Sequence, residues 1–286
     1  MTVIGHVKAK QISWAKTAGI SLIGSQGDRG EKVYTASLNK NLYVSLSKST
    51  IEQFKQGDGK ELNGTPCNMQ ALHSSSALGV NVFEYWKNLG DATSVAVACG
   101  LVRKDSVAPK KIVFEEKYPI SEERDHPPNI DVVIHNDDSS NVKRLAIECK
   151  FTEPYYGRGH SGLKDFYLTH CSDFWKDIPN LKILAKTISP EDRRFQHLHA
   201  AQLLKHILGL KRQFGKHEFK LLYLWYDALG TAGATHRNEV DEFAGIAKED
   251  GIMFRSMTYQ KLIVKLGKMP DAEHAEYVQY LANRYL

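Results

Sequence analysis

The chain has 286 residues, of which 42% are hydrophobic, 25% charged and 10% aromatic, so disordered, collagen-like and coiled-coil architectures are excluded. Lys and Arg number 38 against 33 Asp and Glu, a net charge of +5 that permits a polyanionic partner without requiring one. Cysteines at 67, 99, 149 and 171 fit neither a CxxC zinc pattern nor a dense disulfide framework, the start MTVIGHVKAK carries no apolar leader, and no apolar run reaches about 18 residues. The expectation is a cytoplasmic protein with reduced thiols and no membrane span.

Residues 1–64 read as short strands and turns. ISLIGSQGDRGEKVYTASL suggests two strands about a Gly/Asp turn, NLYVSLS a further strand, and STIEQFKQ a short helix opening on a serine cap. Gly57, Gly59, Gly64 and Pro66 punctuate a loop. A boundary near 65 separates a β-rich N-terminal extension, 1–64, from a main domain, 65–286. Over 71–88, Leu78, Val82 and Tyr85 or Trp86 recur at helical spacing. Strands are expected over 110–120, 129–137 and 143–151, followed by the Gly-rich loop EPYYGRGHSG. A strongly periodic helix spans 195–214, and the apolar run FKLLYLWYD, 219–227, reads as a buried strand. HRNEVDEFAGIAKED predicts a helix, MFRSMTY a short strand, and two helices close the chain. This order predicts an α/β (α+β) fold, one mixed central sheet flanked by helices.

The chemistry concentrates in PPNIDVVIHNDDSSNVKRLAIECKF. A turn centred between Ser139 and Ser140 makes this segment a hairpin with Asp131 opposite Glu148. Lys150, two positions on, then points to the same face. Ile130, Val132, Ile134, Leu145 and Ile147 would form the opposite, apolar face. Opposed carboxylates destabilise a sheet unless something sits between them. A divalent cation resolves the conflict, and Mg²⁺ is usually held by one or two carboxylates with several waters. Asp131 and Glu148 would supply the carboxylates and the Cys149 carbonyl a third oxygen. Lys150 would orient the attacking water or help deprotonate it. Such a site suits phosphodiester hydrolysis.

Asp131, the hairpin and Glu148-Cys149-Lys150 resemble the PD-(D/E)xK nuclease superfamily, the restriction-endonuclease-like fold. Proline does not directly precede the aspartate here, since Pro128 stands three positions before Asp131. Helix, three strands, helix and strand over 71–227 also look like that family's core. HSSSALGVNVF, IECKFTEPY and AAQLLKHILGL resemble a bacterial group of restriction endonucleases. The resemblance implies a bacterial, Mg²⁺-dependent (Mn²⁺ as substitute), type II-like restriction endonuclease acting on double-stranded DNA. Cutting both strands implies a homodimer. The alternatives are a non-catalytic nucleic-acid-binding protein on the same fold, or a repair or defence nuclease acting on other DNA or RNA. No G-x-x-x-x-G-K-[ST], GxSxG or GxGxxG motif points to an organic cofactor or a metabolic enzyme.

The resemblance also suggests Glu84, on the helix before the sheet, as an accessory metal ligand, and Gln202, on the helix after Lys150, as a polar group facing the site. His199, Gln202 and His206 share one helix face. Of Glu115 and Glu116, at most one points at the site. Tyr155, Arg158, His160 and Lys164 lie in the loop beyond Lys150 and suit phosphate contact or base stacking. His199, His206, His236 and Arg237 complete the candidate nucleic-acid contacts.

Overall fold

A computed structural model describes residues 2–27, 29–122, 127–157, 159–169, 172–269 and 272–286. The chain begins with α1 (Val3–Thr17), the two-residue strands β1 (Leu22–Ile23) and β2 (Tyr34–Thr35), and α2 (Lys48–Gln56). Then follow α3 (Ser75–Leu89), α4 (Ala92–Ala98), β3 (Pro109–Lys117), β4 (Asn129–Asn136) and β5 (Arg144–Lys150). A crossover carries β6 (His160–Ser161), α5 (Asp165–Thr169), α6 (Pro179–Thr187), β7 (Glu191–Asp192) and α7 (Ala200–Phe214). The chain closes with β8 (Phe219–Trp225), α8 (Thr231–Glu249), β9 (Phe254–Thr258), α9 (Tyr259–Leu266) and α10 (Ala275–Tyr285).

The central sheet has the order β3-β4-β5-β8-β9. β3, β4 and β5 form an antiparallel meander, and β8 and β9 add to it in parallel. Helices cover both faces, as parallel strands require. On one side Val132, Ile134, Leu145 and Ile147 pack with Leu78, Phe83 and Trp86 of α3 and with Leu262 and Tyr277 from the C-terminal helices. On the other side Val133, Ala146, Leu221 and Tyr223 pack with Leu204, Ile207 and Phe243 of α7 and α8. This double burial explains why β8 reads as an almost unbroken apolar run. It also corrects the expectation that one hairpin face is core and the other open. Ile130 lies with the second cluster rather than with Val132.

The hairpin register agrees with the expected one. Val132 pairs with Ile147, Val133 with Ala146 and Ile134 with Leu145. The ladder ends at Val132–Ile147, and just beyond it the Asp131 carboxylate takes the Cys149 N–H. The turn is fixed by Asp137, whose Oδ1 accepts from the Ser139 N–H at 3.0 Å and its hydroxyl at 2.7 Å. At Glu115 on the neighbouring strand φ is +55°, the left-handed region that an L residue adopts only under constraint.

In the first 64 residues the expected strand pair about the Gly/Asp turn forms as β1 and β2, two residues each, but helices α1 and α2 are the main regular elements. α1 lacks a clean apolar stripe, because its inward row is Val7, Gln11 and Ala15. It is held by polar contacts instead. The Gln11 amide donates to the Arg284 carbonyl at 2.8 Å and accepts from the Arg284 Nε–H at 3.0 Å. NLYVSLS forms no strand; Leu42 enters the core and the Tyr43 N–H donates to Asn81 Oδ1 at 2.7 Å. α2 is capped by Ser47 rather than Ser49.

The periodic helix α7 starts at Ala200, not 195. The preceding residues are bent by carboxylates that take their N–H groups. Glu239 accepts from Gln196, His197 and Leu198 at 2.7–2.8 Å. Gly209 lets α7 lie close to the strand side, since a Cβ there would stand 2.4 Å from the Tyr118 carbonyl oxygen.

Candidate active site

A cavity of about 390 Å³ opens where β4 and β5 end beside α3 and α7. Asp131, Cys149 and Lys150 line it from the strands, Ser75 and Gly79 from α3, and Gln202 from α7. The expected set of Asp131, Lys150 and Gln202 is thus brought together. Glu148 does not line the cavity; it has no solvent exposure and is joined to the site through Lys150.

Asp131, Cys149, Glu148 and Lys150 each have a defined partner. Asp131 Oδ2 accepts the Cys149 backbone N–H at 2.7 Å. The N–H and C=O of a strand residue point the same way, so the Cys149 carbonyl also faces this side; it accepts the Ser75 hydroxyl at 2.9 Å. The Cys149 thiol lies in the apolar core against α3. Lys150 Nζ donates to Glu148 Oε1 at 2.6 Å, and His206 Nε2 meets Glu148 Oε2 at 2.9 Å.

The electrostatics follow from this crowding. Burial would push the Glu148 carboxyl up, but Lys150 and His206 outweigh it and hold it at about 2. Burial and then the Glu148 charge keep Asp131 well above the ordinary carboxylate range. Burial pushes Glu115 up to about 7, with Glu148 adding to the effect and Asn129 opposing it. Burial alone would lower the Lys150 amine, yet Glu148 and Asp131 carry it above its ordinary value. Lys150 is therefore an ammonium ion at neutral pH.

Of the two first-strand glutamates, Glu115 is the one that faces the cavity, receiving a hydrogen bond from Asn129 Nδ2. Glu116 points away, to His135 and Tyr118. Asp58 and Glu61 arrive from the loop after α2, and Glu153 follows β5. Glu153 stands three residues after Lys150, a cue within reach. Nothing local marks Asp58 or Glu61, whose approach depends on the tertiary fold.

Other expected residues lie elsewhere. Glu84 is buried and does not line the cavity; it accepts the Ser47 N–H and the Thr50 hydroxyl, each at 2.7 Å, and so anchors α2. Tyr155 is not a surface stacker, because its hydroxyl donates to the Tyr226 carbonyl at 2.9 Å inside the core. His236 is fully buried between the Tyr155 and Tyr223 hydroxyls, and burial drives its pKa down to about 3. His206 is buried against Glu148 and is no phosphate contact. Arg237 is exposed but paired with Asp227 at 2.7 Å. Arg158 lies outside the described residues.

His160 and His199 are half-buried and stack at 4.9 Å. Burial holds the His199 pKa near 4, with His160, Lys150 and Lys205 pushing the same way. Lys164 is exposed. Lys205 and Lys164 feel each other's charge, and Lys205 and His199 also feel that of Glu148. These groups form a basic rim outside the cavity's own lining, whose charged members besides Asp131 and Lys150 are the acidic Asp58, Glu61, Glu115 and Glu153.

Among the described residues no group of three or more His, Cys, Asp or Glu is arranged as a ready metal cage. A hydrated Mg²⁺ needs no such cage, only one or two carboxylates and oxygen dipoles. The donors present are hard oxygens of Asp131 and Glu148 and the Cys149 carbonyl. Asn129 Oδ1, beside them, is buried without a hydrogen-bond partner. Asp131 and Glu115, carboxyls that resist ionisation, together with an unmet acceptor fit a hard cation. Among the described residues no helix is long and apolar enough to cross a membrane.

No curated protein and no solved structure matches the chain. A family model described as restriction endonuclease associating with ARP matches residues 8–286, nearly the whole sequence, and the chain belongs to that family.

Proposed function

We propose that this protein is a Mg²⁺-dependent endonuclease of the PD-(D/E)xK type that hydrolyses phosphodiester bonds of double-stranded DNA, as a type II-like restriction enzyme. The observation that carries this reading is the meeting of Asp131 and Lys150 in one cavity, with Glu148 bonded to Lys150, on adjacent strands of one hairpin. Membership of a restriction endonuclease family supports it. Asp131, Glu148 and the Cys149 carbonyl would hold the ion. When bound, the ion would stabilise charge developing on the phosphate and make water a stronger nucleophile.

The chain's own groups do the rest. Lys150, kept protonated by Glu148 and Asp131, neutralises a phosphate oxygen and orients the attacking water rather than taking its proton. Gln202 lines the same cavity from α7 and would hydrogen-bond the water or the phosphate. Lys164 and Lys205 attract the backbone on the basic rim, and His160 and His199 add uncharged donors there. Cutting two strands of opposite polarity calls for two sites related by a two-fold axis, hence a homodimer.

The test is incubation of the purified protein with plasmid and phage DNA in Mg²⁺. Discrete fragments that vanish in EDTA and in Asp131→Asn support the reading. DNA binding with no cleavage in any metal would replace it with a non-catalytic binding role.

A further inference from the structure

We propose that His206 is a positioning residue that fixes the Glu148 carboxylate for ion binding, a role that rests on the nuclease reading above. Glu148 has no solvent exposure, so protein groups alone orient it. Its Oε1 faces Lys150 at 2.6 Å and its Oε2 faces His206 at 2.9 Å. Lys150 cannot set the orientation alone. It ends β5, is partly exposed at 15% of its side chain, and hangs on a flexible stem. His206 is the rigid partner. It sits mid-way along α7, 1% exposed, with a planar ring and two torsions.

The carboxylate sets the direction of this bond. An ionised Glu148 can only accept, so His206 Nε2 donates to its Oε2. The imidazole thus contributes one directed N–H bond to a carboxylate that would otherwise turn toward Lys150. Supporting hydrogen bonds of this kind orient metal-ligating groups and commonly change affinity or activity 10–100-fold when removed. Gln202 and His206 share one α7 face at i and i+4. The same helix therefore presents one polar group to the cavity and braces the Glu148 carboxylate.

The experiment compares wild type with His206→Leu, which removes the donor, and His206→Gln, whose amide reaches as far as Nε2. Three quantities are read on each folded variant: Mn²⁺ affinity by titration without DNA, single-turnover cleavage rate, and DNA affinity in EDTA. His206→Leu should weaken Mn²⁺ binding and slow cleavage by about 10–100-fold, with DNA affinity changed less than about twofold. His206→Gln should recover most of both losses. A side chain that merely fills the core would lower thermal stability and leave Mn²⁺ affinity in place, and that result overturns the proposal. So does a folded Gln variant as impaired as Leu. If His206→Leu does not fold, His206→Asn replaces it, since its shorter amide keeps the polarity but falls short of Glu148. Asn as active as Gln then overturns the proposal, and Asn impaired with Gln restored supports it. The wild-type arm separates the two readings. Wild type that binds Mn²⁺ but cuts nothing refutes the nuclease reading, and the variants' Mn²⁺ affinities still decide the role of His206. Wild type that neither binds Mn²⁺ nor cuts refutes both.

Discussion

Glu115→Gln should make the ion-free protein more stable. Glu115 ionises at about 7 in the folded chain instead of 4.5, because it is buried beside Glu148 with only Asn129 to satisfy it. Ionising it in the fold therefore costs about 3 kcal/mol more than in the unfolded chain at pH 8. The sign follows from proton counting. Between pH 4.5 and about 7 the native state holds the proton that the unfolded state has lost, so stability falls as pH rises through that window. Glutamine has no proton to lose, can still accept from Asn129, and fits the same backbone. Its own amide is also desolvated, which leaves a net gain of about 2 kcal/mol, or about 4–8 °C in Tm for a chain of this size. Calorimetry in EDTA at pH 8 and pH 5 measures this. The gain should be present at pH 8 and nearly gone at pH 5. Saturating Mg²⁺ at pH 8 should narrow it, since the ion relieves the wild-type repulsion. A variant no more stable than wild type at pH 8, or a difference independent of pH, would refute the argument.

The acid limb should be set by Glu148. Its pKa is held at about 2 against an ordinary 4.5, so its contribution of about 3 kcal/mol is full above pH 4.5 and disappears as pH falls through about 2. Glu148→Gln should flatten that limb in acid-unfolding curves. Glu84→Ala should cost about 3 kcal/mol in urea unfolding, because the Thr50 hydroxyl and the Ser47 N–H lose their acceptor, while the Mg²⁺ concentration for half-maximal activity stays unchanged. Lys164→Ala and Lys205→Ala should each weaken DNA binding across all sequences and reduce the slope of log affinity against log salt by about 1.

The mixed sheet and the hairpin register were legible in the sequence because alternation and turn chemistry are local. Asp137 and its serine neighbours fix the turn, and the register then brings Asp131 to the Cys149 N–H. The helix over 75–89 was legible through its periodicity, whereas α8, read from His236 with a loop before it, begins at Thr231, where no side chain caps it. α1 was not legible. Its inward face includes Gln11, whose partner Arg284 lies at the other end of the chain. The start of α7 was misplaced because Glu239, more than 40 residues away, takes the N–H groups that would have extended it.

At the site, the hairpin residues and Gln202 were found, and Asp58 and Glu61, brought by packing of the loop after α2, were not. Glu84 looked like a ligand only while its partners Ser47 and Thr50 were unknown. Glu115 reached the cavity through a left-handed backbone turn that alternation does not anticipate. His236, His206 and Tyr155 read as surface groups because polar side chains in a Gly-rich or basic context usually are. Each instead finds a buried polar partner across the fold.

The central claim is that Asp131, Glu148 and Lys150 form one ion-dependent hydrolytic site. Its most direct test is a time course of supercoiled plasmid conversion in Mg²⁺ by wild type and by Asp131→Asn, with matched near-ultraviolet circular dichroism. Asparagine can still accept the Cys149 N–H, so the fold should persist. The expected result is conversion by wild type that stops on adding EDTA and a loss of at least about 100-fold in the variant. Equal rates for the two folded proteins, or cleavage untouched by EDTA, would contradict the account.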